Sequence, residues 1–216
     1  MSLKIEAATL YDFPFSSSSF RLRIAMNIKG VAPARTEPVN LRTGDHLTPD
    51  YLRVVGAPVV PAVDFGEAAF TQSIAIIEWL DTVYPGPRLI PEDPKDALIV
   101  RSMALAIACD IHPLNVPRVL KRLTREMGLS DEVRQDWYSH WVREGLRVLE
   151  HQLEAQAHRG DFCLGSAPTL ADICLVPQVL NARRFNVETE DFKRIGDIYD
   201  RCMSEDTFSK AAPKPD

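Results

Sequence analysis

No CxxC pair occurs in this sequence: its four cysteines, Cys109, Cys163, Cys174 and Cys202, stand far apart. Two of them lie inside apolar runs, so reduced packing cysteines are expected in preference to a disulfide framework or a zinc site. No block of five or six basic residues stands out, and the formal net charge is −5 with acids and bases mixed along the chain. Nucleic acid is therefore not an expected partner. No run of eighteen apolar residues exists, so no membrane span is expected. The opening MSLKIEAATLY lacks a long apolar run behind a basic start, so no signal peptide is expected either. These absences predict a soluble, cytoplasmic protein. What is present is ordinary globular composition, 45% hydrophobic and 25% charged over 216 residues. That length suits one large domain or two small ones and buries a core without staples.

The first 84 residues alternate between strand-like and helix-like text. Ile5 to Tyr11 reads as a short buried strand, Phe13 to Ser19 as a loop, and Phe20 to Lys29 as a helix stopped by Gly30. Glu37 to Leu41 reads as a second strand, followed by a polar loop from Arg42 to His46. Thr48 then caps a brief helix with Pro49 at its first position. Val59 to Val63 reads as a strand with a proline inside it, which marks an edge, a bulge or a cis turn because proline cannot donate to a central ladder. Ala68 to Thr71 pairs with it as a last strand. Ile74, Ile77, Leu80 and Tyr84 then follow helical spacing. Four prolines within Pro85–Pro94 exclude a regular element and mark a linker. This divides the chain into residues 1–84, a linker 85–94, and a helical remainder 95–216.

In that remainder Ala97 to Cys109 is apolar almost all round, as in a helix buried on most sides. Val133, Trp137, Trp141, Leu149 and Leu153 place a second long helix. Thr169-Leu-Ala-Asp172 opens an apolar run with the pattern of a capping box, in which threonine as N-cap contributes about 0.5–2 kcal/mol. The tail from Ala211 reads as loose.

The chemistry concentrates in Phe13-Pro-Phe-Ser-Ser-Ser-Ser-Phe-Arg-Leu-Arg23, between the first strand and the first helix. A helix N-terminus offers unpaired N–H groups and a partial positive charge, and hydroxyls there add donors for an anion. A thiolate held at that spot has a depressed pKa. The chain places serines here and no cysteine, so the thiol has to come from a ligand; a plain loop and N-cap is the structural alternative. Val60-Pro61, if cis, turns the Val60 backbone toward a peptide ligand that pairs as an added strand does, and a simple turn is the alternative. Gln72-Ser73 at a helix start suits a carboxylate by the same dipole argument, or is only an N-cap.

The order of these sites resembles the cytosolic glutathione transferases, specifically the zeta class that includes the maleylacetoacetate and maleylpyruvate isomerases. Ser16-Ser17-Ser18-Ser19-Phe20-Arg21-Leu22-Arg23-Ile24-Ala25 matches the zeta signature Ser-Ser-Cys-x-x-Arg-x-Arg-Ile-Ala. Lys29-Gly30, Val39-Asn40-Leu41, Val60-Pro61-Ala62 and Gln72-Ser73-x-Ala75-Ile76 follow in register. Cys109-Asp-Ile-His-Pro-Leu-Asn115, Pro168 to Gln178 and Ala182 to Phe185 are similar to maleylpyruvate isomerases. The resemblance implies an α/β plus all-α fold: a thioredoxin-like domain that binds glutathione, then a helical-bundle domain that binds a small electrophilic substrate, in a homodimer. It implies that Ser16 is the hydroxyl that stabilises the glutathione thiolate, with Ser17 and Ser18 lining the same pocket. It further implies that Val60, beside Pro61, pairs with the cysteinyl backbone of glutathione, and that Gln72 and Ser73 hold its γ-glutamyl carboxylate. His46 and His112 stand at further glutathione contacts of the family, and Arg184 at an arginine that meets the acidic substrate.

Three departures accompany the match. Ser18 replaces the signature cysteine, Phe15 stands where the isomerases carry arginine, and Val55-Gly-Ala-Pro-Val59 replaces the family's Asn-Pro-x-x-x. Loss of a bidentate guanidinium at position 15 makes the substrate end more apolar. The readings are therefore a zeta-like transferase acting as a cis–trans isomerase, the same scaffold conjugating or dehalogenating an apolar electrophile, and a glutathione-binding module without turnover. A thioredoxin-like disulfide oxidoreductase needs a cysteine at the helix start and finds only serines.

Overall fold

The structure, a computed structural model, describes residues 3–214. The chain forms two compact units, one running to Leu89 and resuming from Glu205, the other Ile90–Ser204.

The first unit contains β1 (Thr9–Asp12), α1 (Ser17–Lys29), β2 (Arg35–Pro38), α2 (Pro49–Val55), β3 (Ala62–Asp64), β4 (Ala69–Phe70) and α3 (Ser73–Val83). The sheet order is β2-β1-β3-β4, with β1 parallel to β2 and antiparallel to β3, and β3 antiparallel to β4. Parallel neighbours need a crossover, and α1 supplies it. This is the expected thioredoxin-like order. The strand expected over Ile5–Tyr11 is corrected: Ile5–Ala7 forms a 3-10 turn and pairing starts at Thr9. The Ile5 N–H is taken by the Tyr84 hydroxyl at 2.7 Å, outside any ladder. The second strand lies earlier than expected, at Arg35–Pro38, and the third starts at Ala62, after the cis Val60–Pro61 bond.

α1 starts where the Ser16 hydroxyl accepts from the Ser19 N–H at 3.2 Å, and stops where Gly30 adopts φ 65°, a left-handed conformation open to glycine. α1 packs on α3. Between them Lys29 Nζ lies 2.7 Å from Asp81 Oδ1, both side chains almost fully buried, and the Leu89 N–H donates to the same carboxylate at 2.8 Å.

The second unit contains α4 (Pro94–Leu105), α5 (Pro117–Lys121), α6 (Asp131–Gln156), α7 (Leu170–Arg184) and α8 (Lys193–Met203). Pro94 opens α4, and Asp93 caps it by accepting from the Lys95 and Asp96 N–H groups at 3.0 and 2.9 Å. The helix expected to reach Cys109 changes pitch at Ala106, where a π-helical stretch runs to Ile111; a second one spans Arg122–Glu126. Gly145 of α6 meets this stretch so closely that a Cβ there would lie 2.2 Å from Ile111 Cγ1. The helical path Pro94–Glu126 is long and apolar enough by length and composition to cross a membrane, its most apolar window having mean hydropathy 1.5. Only 33% of that window is buried: along the path Val100, Met103, Ala104, Ile107 and Ile111 are buried, whereas Leu98 and Leu105 are exposed.

α7 is buried on all sides from Leu170 to Val179. Asp172 within it accepts from the N–H groups of Thr169 and Cys163, each at 2.8 Å, which forms the expected capping box and pins the chain at Cys163. Cys163, Cys174 and Cys202 form no disulfide and are buried, in line with packing cysteines, while Cys109 is exposed. Burial pushes the Cys163 thiol well above its ordinary range. The tail is not loose at its start. α9 (Asp206–Ser209) packs on α1, and Ala211 is buried with its carbonyl accepting from Arg23 Nε at 2.9 Å.

Candidate active site

The loop from Phe13 to Ser16 is built as a turn, the Ser16 N–H donating to the Phe13 carbonyl at 2.9 Å. Arg23, about two helical turns further on, braces it. Its Nη1 forms a two-pronged pair with Asp12 at 2.7 and 2.9 Å, and its Nη2 donates to the Pro14 carbonyl at 2.8 Å. A rigid fork at this position fixes where the following serines stand.

Ser16 Oγ lies 3.1 Å from Ser18 Oγ, and Ser18 Oγ donates to the Val60 carbonyl at 3.1 Å. Each hydroxyl has one proton. Ser18 directs its own at Val60, so the proton between the two serines belongs to Ser16. The Ser16 oxygen also accepts from the Ser19 N–H, which polarises the hydroxyl and strengthens it as a donor. The result is a directed chain, Ser19 N–H to Ser16 to Ser18 to Val60, that joins the start of α1 to the cis-proline turn. Ser17 is buried beside it, and Ser16 and Ser18 are half-buried.

The cis-proline turn rests on a small apolar cluster of Val39, Tyr51, Val55, Val60 and Ala62, against which Tyr11, Phe13 and Leu41 pack. The Tyr51 hydroxyl donates to the Val59 carbonyl at 2.6 Å, and burial pushes its phenol up to about 12. α2 thus exists, in structural terms, to hold residues 59–61. The last part of this face is the start of α3. Gln72 is exposed with φ 71°, a left-handed conformation that is rare for a residue with a side chain, and Ser73 is buried as the first helical residue. The start of α3 carries unpaired backbone N–H groups and the positive end of its dipole, as every helix N-terminus does.

The model for the glutathione S-transferase N-terminal domain matches residues 10–88. A probable maleylacetoacetate isomerase of Vibrio cholerae is 39% identical over 206 residues, 95% of each chain. The solved holo structure of a maleylpyruvate isomerase, a bacterial zeta-class glutathione S-transferase, is 39% identical with a TM-score of 0.92, covering 96% of this chain and 99% of its own. A maleylacetoacetate isomerase from Methylobacterium extorquens AM1, solved with malonate and glutathione bound, is 34% identical with a TM-score of 0.91, covering 96% of this chain and 98% of its own. The chain belongs to the zeta class of the glutathione S-transferase family.

Of the residues expected from the sequence of this zeta-class transferase, Phe15, Ser16, Ser17, Ser18, Val60 and Pro61 come together around the start of α1. His46 sits half-buried in the 3-10 turn Asp45–Leu47 that precedes α2. His112 and Arg184 belong to the second unit. His112 opens a 3-10 turn directly after the π-helical stretch, and Arg184 is the exposed last residue of α7. The end of α7 is fixed by Tyr138, whose ring stacks on Phe185 at 4.6 Å and whose hydroxyl accepts from Asn181 at 2.8 Å, and by Gln135, which donates to the Phe185 carbonyl at 2.8 Å.

One residue of the site escaped sequence reasoning. The Arg42 guanidinium carbon lies 4.9 Å from the centroid of the Phe15 ring, within the range of a cation–π contact. In the sequence Arg42 is only a member of a polar loop, with no periodicity or motif to single it out. Among the described residues no group of three or more His, Cys, Asp or Glu could hold a metal ion.

Proposed function

We propose that this zeta-class transferase is a glutathione-dependent cis–trans isomerase of a maleyl compound, maleylacetoacetate or maleylpyruvate. The observation that carries the reading is the directed hydroxyl chain from Ser19 N–H through Ser16 and Ser18 to Val60, set at the N-terminus of α1. A hydroxyl donor at the positive end of a helix suits a thiolate. Glutathione, when bound, supplies a thiol that adds reversibly to the conjugated cis double bond, lets that bond rotate, and leaves unchanged. Ser16 turns its hydroxyl proton from Ser18 to the sulfur and holds the anion, while the α1 N-terminus lowers the cost of its charge. Ser17 and Ser18 line the same pocket. Val60, beside Pro61, pairs with the peptide backbone of the cysteinyl residue. Gln72 and Ser73 hold the γ-glutamyl carboxylate, with His46 and His112 as further contacts. Arg184 meets the acidic substrate. The Methylobacterium relative was solved with malonate and glutathione bound, which supports a dicarboxylate as the electrophile.

A second reading keeps the same nucleophile and changes the electrophile. Phe13 and Phe15, packed edge to face at 5.7 Å, make the entrance to Ser16 aromatic, which suits conjugation or dehalogenation of an apolar compound. Turnover of maleylpyruvate and maleylacetoacetate with and without glutathione separates the two. Glutathione-dependent formation of the fumaryl isomers is the expected result. No conversion while halogenated or aromatic electrophiles are consumed assigns the second reading. Glutathione binding with no turnover of either class reduces the protein to a binding module. The reading includes a cytoplasmic homodimer organised as a glutathione-binding domain over 1–84, a linker over 85–94 and a substrate-binding domain over 95–216. Sedimentation at working concentration should give twice the chain mass; a monomer contradicts the dimer.

A further inference from the structure

The serine loop leans on a part of the chain far from it in sequence. Ser16, Phe20, Arg23 and Asn27 fall at i, i+4, i+7 and i+11, one stripe along α1. The segment returning from Glu205 lies against this stripe. Asn27 Nδ2 donates to the Thr207 carbonyl at 3.0 Å, and Arg23 Nε donates to the Ala211 carbonyl at 2.9 Å. The segment therefore runs from Asn27 toward Arg23, in the direction of the serine end of α1. It has an anchor of its own: Phe208 is fully buried, and the Phe208 and Ala211 N–H groups close turns on the Glu205 and Phe208 carbonyls, each at 3.1 Å. The rest of the Arg23 guanidinium faces the loop. Nη1 holds both oxygens of the buried Asp12, and Nη2 holds the Pro14 carbonyl. One cation thus joins the end of β1, the serine loop and the returning segment. A guanidinium presents five N–H donors in a rigid plane, whereas an ammonium has three on one atom and cannot span such a set.

We propose that Arg23 is a positioning residue for the thiolate site and that Glu205–Ala211 is the strap that aims it. With the Ala211 carbonyl holding one edge of the guanidinium, the opposite edge stays on Pro14, two residues before Ser16, and the Ser16 hydroxyl keeps its direction. The inference rests on the reading of Ser16 as the hydroxyl that stabilises the glutathione thiolate. It extends that site by a segment almost 200 positions away and makes the acidity of bound glutathione depend on it. The physical reason is the short reach of a hydroxyl donor, since a displacement of about 1 Å can cost about 10²-fold in rate.

The test compares wild type with Arg23→Lys, with a chain ended at Phe208, and with the two changes combined. Where the ended chain fails to fold in a thermal melt, Ala211→Trp takes its place, because the larger side chain displaces the buried alanine and leaves Phe208 seated. Amide exchange of Ser16 and Ser19 reads the loop without any ligand, and the ultraviolet absorbance of bound glutathione thiolate against pH reads the site. Each single change should speed loop exchange roughly 10- to 100-fold, the range for losing a hydrogen bond to a charged group. Each should also raise the thiolate pKa by about one unit, a tenfold loss of thiolate at lower pH. The deficit in turnover should then be largest at low pH and shrink above the raised pKa. A change that only lowers stability leaves that limb in place. The combined variant should lose little more than either single one, since both act through one guanidinium. Loop exchange at the wild-type rate in either single variant overturns the proposal, and so does a combined loss equal to the product of the two. Faster loop exchange with a thiolate pKa that Ser16→Ala does raise and these variants do not also overturns it. A thiolate pKa that Ser16→Ala itself leaves unmoved refutes the thiolate reading alone.

Discussion

The two units of this chain hold themselves together by different means, and their candidate functional residues sit at different kinds of position. In the first unit short elements are joined by polar devices: the buried pair Lys29–Asp81 between α1 and α3, and the Arg23 brace under the serine loop. Ser16, Val60 and Ser73 lie at element ends, where backbone groups are exposed by the geometry of capping and turning. In the second unit long helices bury apolar faces, and the buried carboxylates Asp172 and Glu150 each tie down two backbone N–H groups. His112 and Arg184 occur where a helix leaves regular geometry, after a π-helical stretch and at a C-terminus. In both units the residues expected to act stand where the regular hydrogen-bond ladder is interrupted, because only there does the backbone have groups to offer or a side chain a new direction.

The sharpest way to break this contrast is to remove one partner of the buried pair. Lys29→Met removes the buried cation of Asp81, leaving the half-exposed Arg88 at 3.6 Å from Oδ2, and should cost about 3 kcal/mol. Hydrogen exchange should lose protection across α1 and α3 before α6; equal loss in both units would show that they unfold as one body. Next in size is Ser16→Ala, which should lower kcat/KM for glutathione-dependent turnover by roughly 10²–10³-fold, the effect of deleting one anion-stabilising donor. Its stability cost should be only that of a lost cap, about 0.5–2 kcal/mol in a thermal or denaturant melt. A rate equal to wild type would remove Ser16 from the chemistry.

Gly145→Ala forces a methyl group into Ile111 and should destabilise the second unit by about 1–3 kcal/mol. Combined with Ile111→Ala the loss should be less than the sum of the two single changes, since they share one contact. Additive losses would show that α6 and the π-helical stretch are not limited by that contact. The smallest expected effect is Tyr51→Phe, about 0.5–1.5 kcal/mol for the hydrogen bond to the Val59 carbonyl. It carries a pH signature. The phenol rises from 10 to about 12 in the folded protein, so its contribution is complete below pH 10 and is lost as pH climbs through 12. Tyrosinate absorbance and unfolding midpoints across that window should show a larger loss in wild type than in Tyr51→Phe, which keeps the share of the other raised phenols, Tyr11, Tyr84, Tyr138 and Tyr199.

Much of this architecture is legible before any coordinates. Gly30 ends α1, Thr48 and Pro49 start α2, and Thr169 with Asp172 starts α7, each through a local interaction between residues no more than four apart, whereas Ser73, read as an N-cap, is the first helical residue after Gln72 and makes no cap bond. The errors fall where distant groups decide. Ile5–Ala7 has strand-like composition, but its donor goes to Tyr84, 79 residues away. The expected single helix through Cys109 changes pitch at Ala106, where its path meets Gly145 on α6. Ala211 reads as loose tail because its partner, Arg23, lies 188 residues earlier.

By itself the sequence determined the order of elements, the serines at a helix start, the proline turn and the family they resemble, since all of these are written in short-range spacing. Only the tertiary structure decided which way the Ser16 proton points, because that depends on Val60 accepting from Ser18 across 42 positions. It alone also decided that Arg42 lies over Phe15. Neither follows from spacing: a hydrogen bond or a stacked ring depends on distance in space, which packing sets and separation along the chain does not encode.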